Sequence, residues 1–116
     1  MVNRKSLIAA LDRGAIIKVS FDPIVGHEQA GYRPALVISS KTFHIATGFA
    51  LCLPITSKKK GFLFEIAILE KDIKGVAMPH GARMLDLDSR DFTIIGRVSS
   101  EALSKAQIIL NKIISG

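Results

Sequence analysis

The stretch Gly26-His27-Glu28-Gln29-Ala30-Gly31-Tyr32-Arg33-Pro34 sets an imidazole, a carboxylate, an amide, a phenol and a guanidinium side by side. It lies between two apolar runs, 16–21 and 35–38, that read as strands. A loop that only reverses the chain does not require this set of groups. Its glycines let the backbone take positive φ or approach a ligand closely. Pro34 drives the residue before it into an extended conformation, which presents the Arg33 guanidinium at the mouth of the next strand. An imidazole titrates near neutrality and suits proton transfer. A planar guanidinium matches two phosphate oxygens and keeps its charge at any ordinary pH. Loops held by a rigid scaffold are where such sites lie. The plainer alternative is a solvated hairpin loop whose polar groups cap their own backbone.

A second polar group, Thr56-Ser57, follows a run that reads as the third strand, and Lys58-Lys59-Lys60 comes directly after it. Hydroxyls and lysines at a strand exit can contact phosphate oxygens. An ordinary Ser/Thr turn and a solvated charge run are the alternatives. Tyr32 can stack on an unpaired base. Phe21, Phe49, Phe62, Phe64 and Phe92 fall within apolar runs and read as core. His44 reads as a surface residue. The three histidines and the single cysteine show no metal-ligand spacing, and there is no phosphate-binding glycine loop or nucleophile elbow.

The chain that must position these groups has 116 residues, enough for a single domain spanning 1–116. An apolar fraction of 48% and a mean hydropathy of +0.34 describe a packed globule rather than a disordered chain. They are high for this size and point to apolar surface buried in an oligomer. Sixteen basic against ten acidic residues leave a formal charge of +6, which favours a polyanionic partner. Cys52 has no partner for a disulfide and lies in an apolar run, as expected of a small buried hydrophobe in a reducing, cytoplasmic setting. No run approaches the length of a membrane-spanning helix.

In order, residues 1–13 form an N-terminal extension with Leu7, Ile8 and Leu11 on one face of a short helix ended by Gly14. Strands are expected at 15–21, 34–39, 49–54, 62–69, 76–78, 83–87 and 92–98. Residues 40–47 form a loop or short helix. Ser99 caps a final helix over 99–115, with Leu103, Ala106, Leu110 and Ile113 on one face, reinforced by Ile109 and Ile114. Short strands followed by one helix describe a small curled antiparallel sheet or barrel.

The string Phe21-Asp22-Pro23, then Gly26-x-Glu28-Gln29-x-Gly31-x-Arg33-Pro34, resembles the MazF/PemK (Kid) family of toxin endoribonucleases. The resemblance continues through Leu53-Pro54-Ile55-Thr56-Ser57, Gly61-Phe62-Leu63-Phe64-Glu65 and Gly75-Val76-Ala77, and it covers residues 14–115. It implies a mostly β, SH3-like barrel with a C-terminal helix, shared with the CcdB toxin. It also implies metal-independent cleavage of single-stranded RNA at short sequences, without a cofactor, to 2′,3′-cyclic phosphate and 5′-hydroxyl ends. RNA carries its own nucleophile, the 2′-hydroxyl. The protein must then supply a base, a donor set for the charged phosphorane and an acid for the departing 5′ oxygen.

Arg33 and Thr56 match the family's catalytic positions, and Glu28 and His27 match positions of substrate contact or proton transfer. Ser57, Gln29, Tyr32, Lys58, Lys59, Lys60 and Arg83 are the expected substrate contacts. His80 is a departure, since many members carry an aspartate there and the Kid branch uses it. The Kid-type arginine position holds Met78. His27 and His80 thus offer a two-histidine base and acid. The implied partners are single-stranded RNA, a second copy in a homodimer, and a cognate MazE-like antitoxin whose acidic, disordered tail covers a basic groove. A CcdB-like gyrase poison without enzymatic activity, and an inactive SH3-like binding module, are the rival readings on the same fold.

Overall fold

Ile16, Ile17 and Val19 are β-branched neighbours with no exposed surface, so the strand they form is covered on both faces. The computed structural model describes residues 3–21, 32–58, 61 and 64–116, and in it this strand is β1, Ala15–Ser20. It follows helix α1, Arg4–Ala10. The remaining strands are β2 (Tyr32–Val37), β3 (Phe49–Thr56), β4 (Ile66–Glu70), β5 (Ile73–Ala77), β6 (Arg83–Asp86) and β7 (Phe92–Arg97). Helix α2, Lys41–Thr47, joins β2 to β3, a 3-10 turn, Pro79–Gly81, precedes β6, and helix α3, Ser100–Ser115, ends the chain.

All described pairings are antiparallel, in the order β4-β5-β3-β2-β1-β7, with β6 also on β3. β3 pairs with β6 over Phe49–Cys52 and with β5 at Ile55 and Thr56. This division along one edge curls the sheet into a half-barrel. Ala15, Ile17 and Val19 of β1 join Ala35, Val37, Cys52, Leu85 and Phe92 in one core, closed by Ile8 and Leu11 from the N-terminal segment. Ile16 joins Leu36, Leu53, Ile55, Ile66 and Ile68 in the other, closed by Ala106 and Ile109 of α3. Among the described residues no helix is long and apolar enough to cross a membrane.

The expected elements are present with shifted ends. β2 begins earlier than expected and takes in Tyr32 and Arg33, while β3 runs on through Thr56. The fourth strand starts only at Ile66, and the fifth starts at Ile73. Segment 40–47 is a true helix, because the Ser40 hydroxyl accepts from the Phe43 N–H and Gly48, at φ +75°, closes the other end. The first helix stops at Ala10 with Leu11 extended, ahead of Gly14. Ile113 and Ile114 of α3 lie exposed, beyond the reach of the sheet. Phe21 and Phe92 are core as expected, but Phe49 and Phe64 are 39% and 41% exposed, and Phe62 lies outside the described residues.

His44 is not on the surface: it is wholly buried on α2. Its Nδ1 lies 2.9 Å from the Leu11 carbonyl and its Nε2 lies 2.7 Å from Ser39 Oγ. The carbonyl can only accept, so Nδ1 carries the hydrogen and Nε2 accepts from the Ser39 hydroxyl. The same Ser39 oxygen accepts the Leu51 N–H at 2.8 Å. One imidazole therefore ties the end of α1 to β2 and β3. His44→Ala should leave these groups unpaired around a cavity, at a cost of about 2–4 kcal/mol. A thermal melt should show the midpoint fall by more than about 8 °C.

Burial pushes the Cys52 thiol up to about 12, although the nearby Arg90 guanidinium acts in the opposite direction. The native thiol stays protonated where an unfolded one ionises, so folding is favoured below the unfolded value and loses support as pH rises past it. Relative to Cys52→Ala, the wild type should lose stability in denaturant titrations as pH rises from the ordinary thiol value of 9.0 toward the folded value of about 12. Iodoacetamide should label the native thiol slowly at pH 8.5 and rapidly once the protein is denatured.

Candidate active site on the β2–β3 ladder

The β2–β3 ladder pairs Val37 with Cys52, Leu36 with Leu53 and Ala35 with Pro54. Continued outward in the same register, it sets Arg33 opposite Thr56 on one face of the sheet. Arg33 is exposed and Thr56 is half-buried. The Thr56 hydroxyl oxygen accepts the Lys58 N–H at 3.2 Å. That bond bends the chain out of β3 and leaves the hydroxyl hydrogen available to a ligand.

The turn that carries His80 rests on the same strand. Met78 N–H donates to the Pro54 carbonyl at 3.0 Å. A Cβ on Gly81 would lie 3.0 Å from the Pro54 ring, so the turn is pressed onto β3. Arg83 follows as the register partner of Cys52, on the face shared by Pro54 and Thr56. Its guanidinium stands 6.0 Å above the Phe21 ring, within range of a cation–π contact. Arg33, Thr56, the His80 turn and Arg83 thus gather around Pro54 on one face.

Tyr32 and Ser57 belong to the other face. Tyr32 pairs with Ser20, and Ser57 lines a groove of about 360 Å³ with Lys18, Pro34, Ile55 and Lys74. Thr56 and Ser57 are therefore not one paired donor set. Lys18 and Lys74, which sequence reasoning did not single out, put two cations along this groove, and Asp72 puts one carboxylate beside them. Lys58 is exposed at the end of β3. His27, Glu28, Gln29, Lys59 and Lys60 lie outside the described residues. Among the described residues, no three His, Cys, Asp or Glu side chains come together as metal ligands.

Two further residues shape the site. Glu65 is 8% exposed, and its carboxylate accepts the Gly61 N–H at 3.1 Å. It secures the connection that leaves Thr56. Gly75 is the second. A Cβ there would lie 2.3 Å from the Thr56 carbonyl oxygen, so only glycine lets β5 pair with β3 beside Thr56. Both residues stand in the family-like strings of the sequence, which could have marked them as structural.

A curled antiparallel half-barrel closed by a C-terminal helix is the architecture shared with the MazF class of toxins. The chain belongs to the PemK-like, MazF-like toxin family of type II toxin–antitoxin systems, whose model matches residues 12–114. It is 37% identical over 103 residues to the endoribonuclease toxin MazF of Escherichia coli K12, covering 89% of this chain and 93% of that protein. The structure of MazF from Deinococcus radiodurans superimposes with a TM-score of 0.81 at 31% identity, covering 91% of this chain and 97% of the other. MazF in the MazE–MazF complex of the same organism gives 0.80 at 31% identity, covering 90% and 95%.

Gly75→Ala should separate β5 from β3 at Thr56. It should lower the melting temperature and also lower cleavage of RNA by the fraction that remains folded. A mere loss of stability would leave that folded fraction fully active.

Proposed function

We propose that the protein is a metal-independent endoribonuclease toxin that cleaves single-stranded RNA through attack of the 2′-hydroxyl on the adjacent phosphate. The observation that carries this reading is the placement of Arg33 opposite Thr56, with the His80 turn packed beside them. The guanidinium offers two parallel N–H donors to the non-bridging oxygens of the phosphorane as charge builds there. The Thr56 hydroxyl adds a third donor. His80, with His27 or Glu28 from the 22–31 stretch, supplies the base and the acid. In the attack, the 2′ oxygen forms its bond to phosphorus as its proton goes to the base. The bond from phosphorus to the 5′ oxygen breaks, and the acid protonates that oxygen. The products are a 2′,3′-cyclic phosphate and a 5′-hydroxyl.

The groove with Lys18, Ser57 and Lys74 supports the strand backbone on the neighbouring face. The endoribonuclease relatives and the net charge of +6 favour an RNA substrate over a gyrase. The MazE–MazF neighbours favour regulation by a small acidic antitoxin in the cytoplasm. Ile94 on edge strand β7, 38% exposed, supports burial against a second copy in a homodimer.

The decisive test replaces the single ribose 5′ to a cut site with 2′-deoxyribose. Binding should persist with a similar salt dependence, because the phosphate contacts are unchanged. Cleavage should cease, and the deoxy strand should inhibit competitively. Arg33→Ala should lower the cleavage rate of the unmodified strand about 10²-fold or more. Undiminished cutting of the deoxy strand would make water the nucleophile and refute the mechanism.

A further inference from the structure

Helix α1 lies outside the residues that match the family, 12–114, yet it is wired to the cleavage face. Arg4, in its first turn, donates from Nη1 to the carbonyls of Leu87 (3.0 Å) and Arg90 (2.6 Å). Its Nη2 pairs with the Asp91 carboxylate at 3.1 Å. One guanidinium therefore holds both ends of the turn between β6 and β7.

The turn passes the constraint on. Arg90 points back from it and donates from Nη1 to the carbonyl of Ser20, the last residue of β1, at 2.5 Å. The Arg90 Nε is buried and has no hydrogen-bond partner among the described residues. Its side chain is thus held by the Ser20 carbonyl and by the fixed position of its own backbone. The next residue after Ser20 is Phe21, 6% exposed, and its ring is the platform under the Arg83 guanidinium. Arg83 shares its face with Arg33 and Thr56. A continuous path therefore runs from Arg4 through the turn and Arg90 to Phe21 and Arg83.

We infer that Arg4 and Arg90 are positioning residues for Arg83, fixing the platform from which its guanidinium meets an RNA phosphate. This deepens the proposed function and rests on it. Neither Arg4 nor Arg90 touches the substrate. Each acts through the end of β1, so each should matter only while Arg83 is present to be positioned. A displaced platform shifts the guanidinium relative to Arg33 and Thr56, which weakens a contact that depends on fixed geometry.

A double-mutant cycle on a long single-stranded RNA transcript tests this. Arg83→Gln should lower kcat/KM about tenfold, as loss of one charge-assisted phosphate contact does. Arg4→Gln alone should lower it by about three- to tenfold. In the Arg83→Gln background, Arg4→Gln should have almost no further effect. A purely structural role would not produce this non-additivity, and melting temperatures of all variants supply the comparison. Arg90→Gln repeats the cycle from the turn if Arg4→Gln loosens the helix. Additive losses, or an Arg4→Gln and Arg90→Gln pair with unchanged kcat/KM, would overturn the inference while leaving the nuclease reading intact. The 2′-deoxy substitution at a cut site, run in parallel, separates the two failures, because undiminished cutting of the deoxy strand would overturn the proposed cleavage mechanism and this inference with it.

Discussion

Strand β3 is the constraint on which the rest depends. It gives one edge to β2 and divides the other between β6 and β5. With that edge divided, the right-handed twist carries the two halves of β3 toward different partners, and the sheet closes into a half-barrel. The split falls between Cys52 and Ile55, and Pro54 lies inside it. Proline has no N–H to contribute to a ladder, so it fits where pairing passes from one partner to the next. Its carbonyl still accepts, from Met78. The polar groups of the candidate site collect around this point of exchange because three chain segments converge there.

Both faces of the sheet are apolar at one end and polar at the other. Along β1, Ile16 and Ile17 are buried on opposite faces, while Lys18 is exposed toward the groove. The covering helices reach only part of the way along the strands. Where they stop, the same alternation that filled two cores presents Arg33 and Thr56 on one side and Tyr32, Lys18 and Ser57 on the other. The candidate site thus needs no separate architecture. It is the uncovered end of the core-forming pattern.

The strands and the capped C-terminal helix could be read from the chain, because alternation and Ser99 are local signals, and the family-like strings pointed to Arg33 and Thr56, which the register sets opposite each other. What escaped was non-local. His44 sits in a polar segment that looks solvated, and its burial follows from bonds to Leu11 and Ser39, which no short window displays. Phe49 and Phe64 have core-like neighbours in sequence, but both lie at strand or turn ends where cover stops. Thr56 and Ser57 are adjacent, and only the register shows that a strand sends them to opposite faces. Lys18 and Lys74 are scattered in sequence and line one groove only when β1 and the start of β5 are brought together.

The pairing of β1 with β7 has a consequence for how the protein is made. Ile17 meets Ile94 and Lys18 meets Thr93, so a strand formed near the start of the chain waits for one formed near its end. Until β7 emerges, β1 has one open edge and its apolar residues lack a neighbour. Such long-range closure is slow and raises the barrier to folding. A polypeptide still on the ribosome, or one cut short before β7, therefore has no complete sheet to hold Arg33 opposite Thr56. The topology ties toxicity to completed synthesis, which gives the cell an interval in which the chain exists and its damaging activity does not.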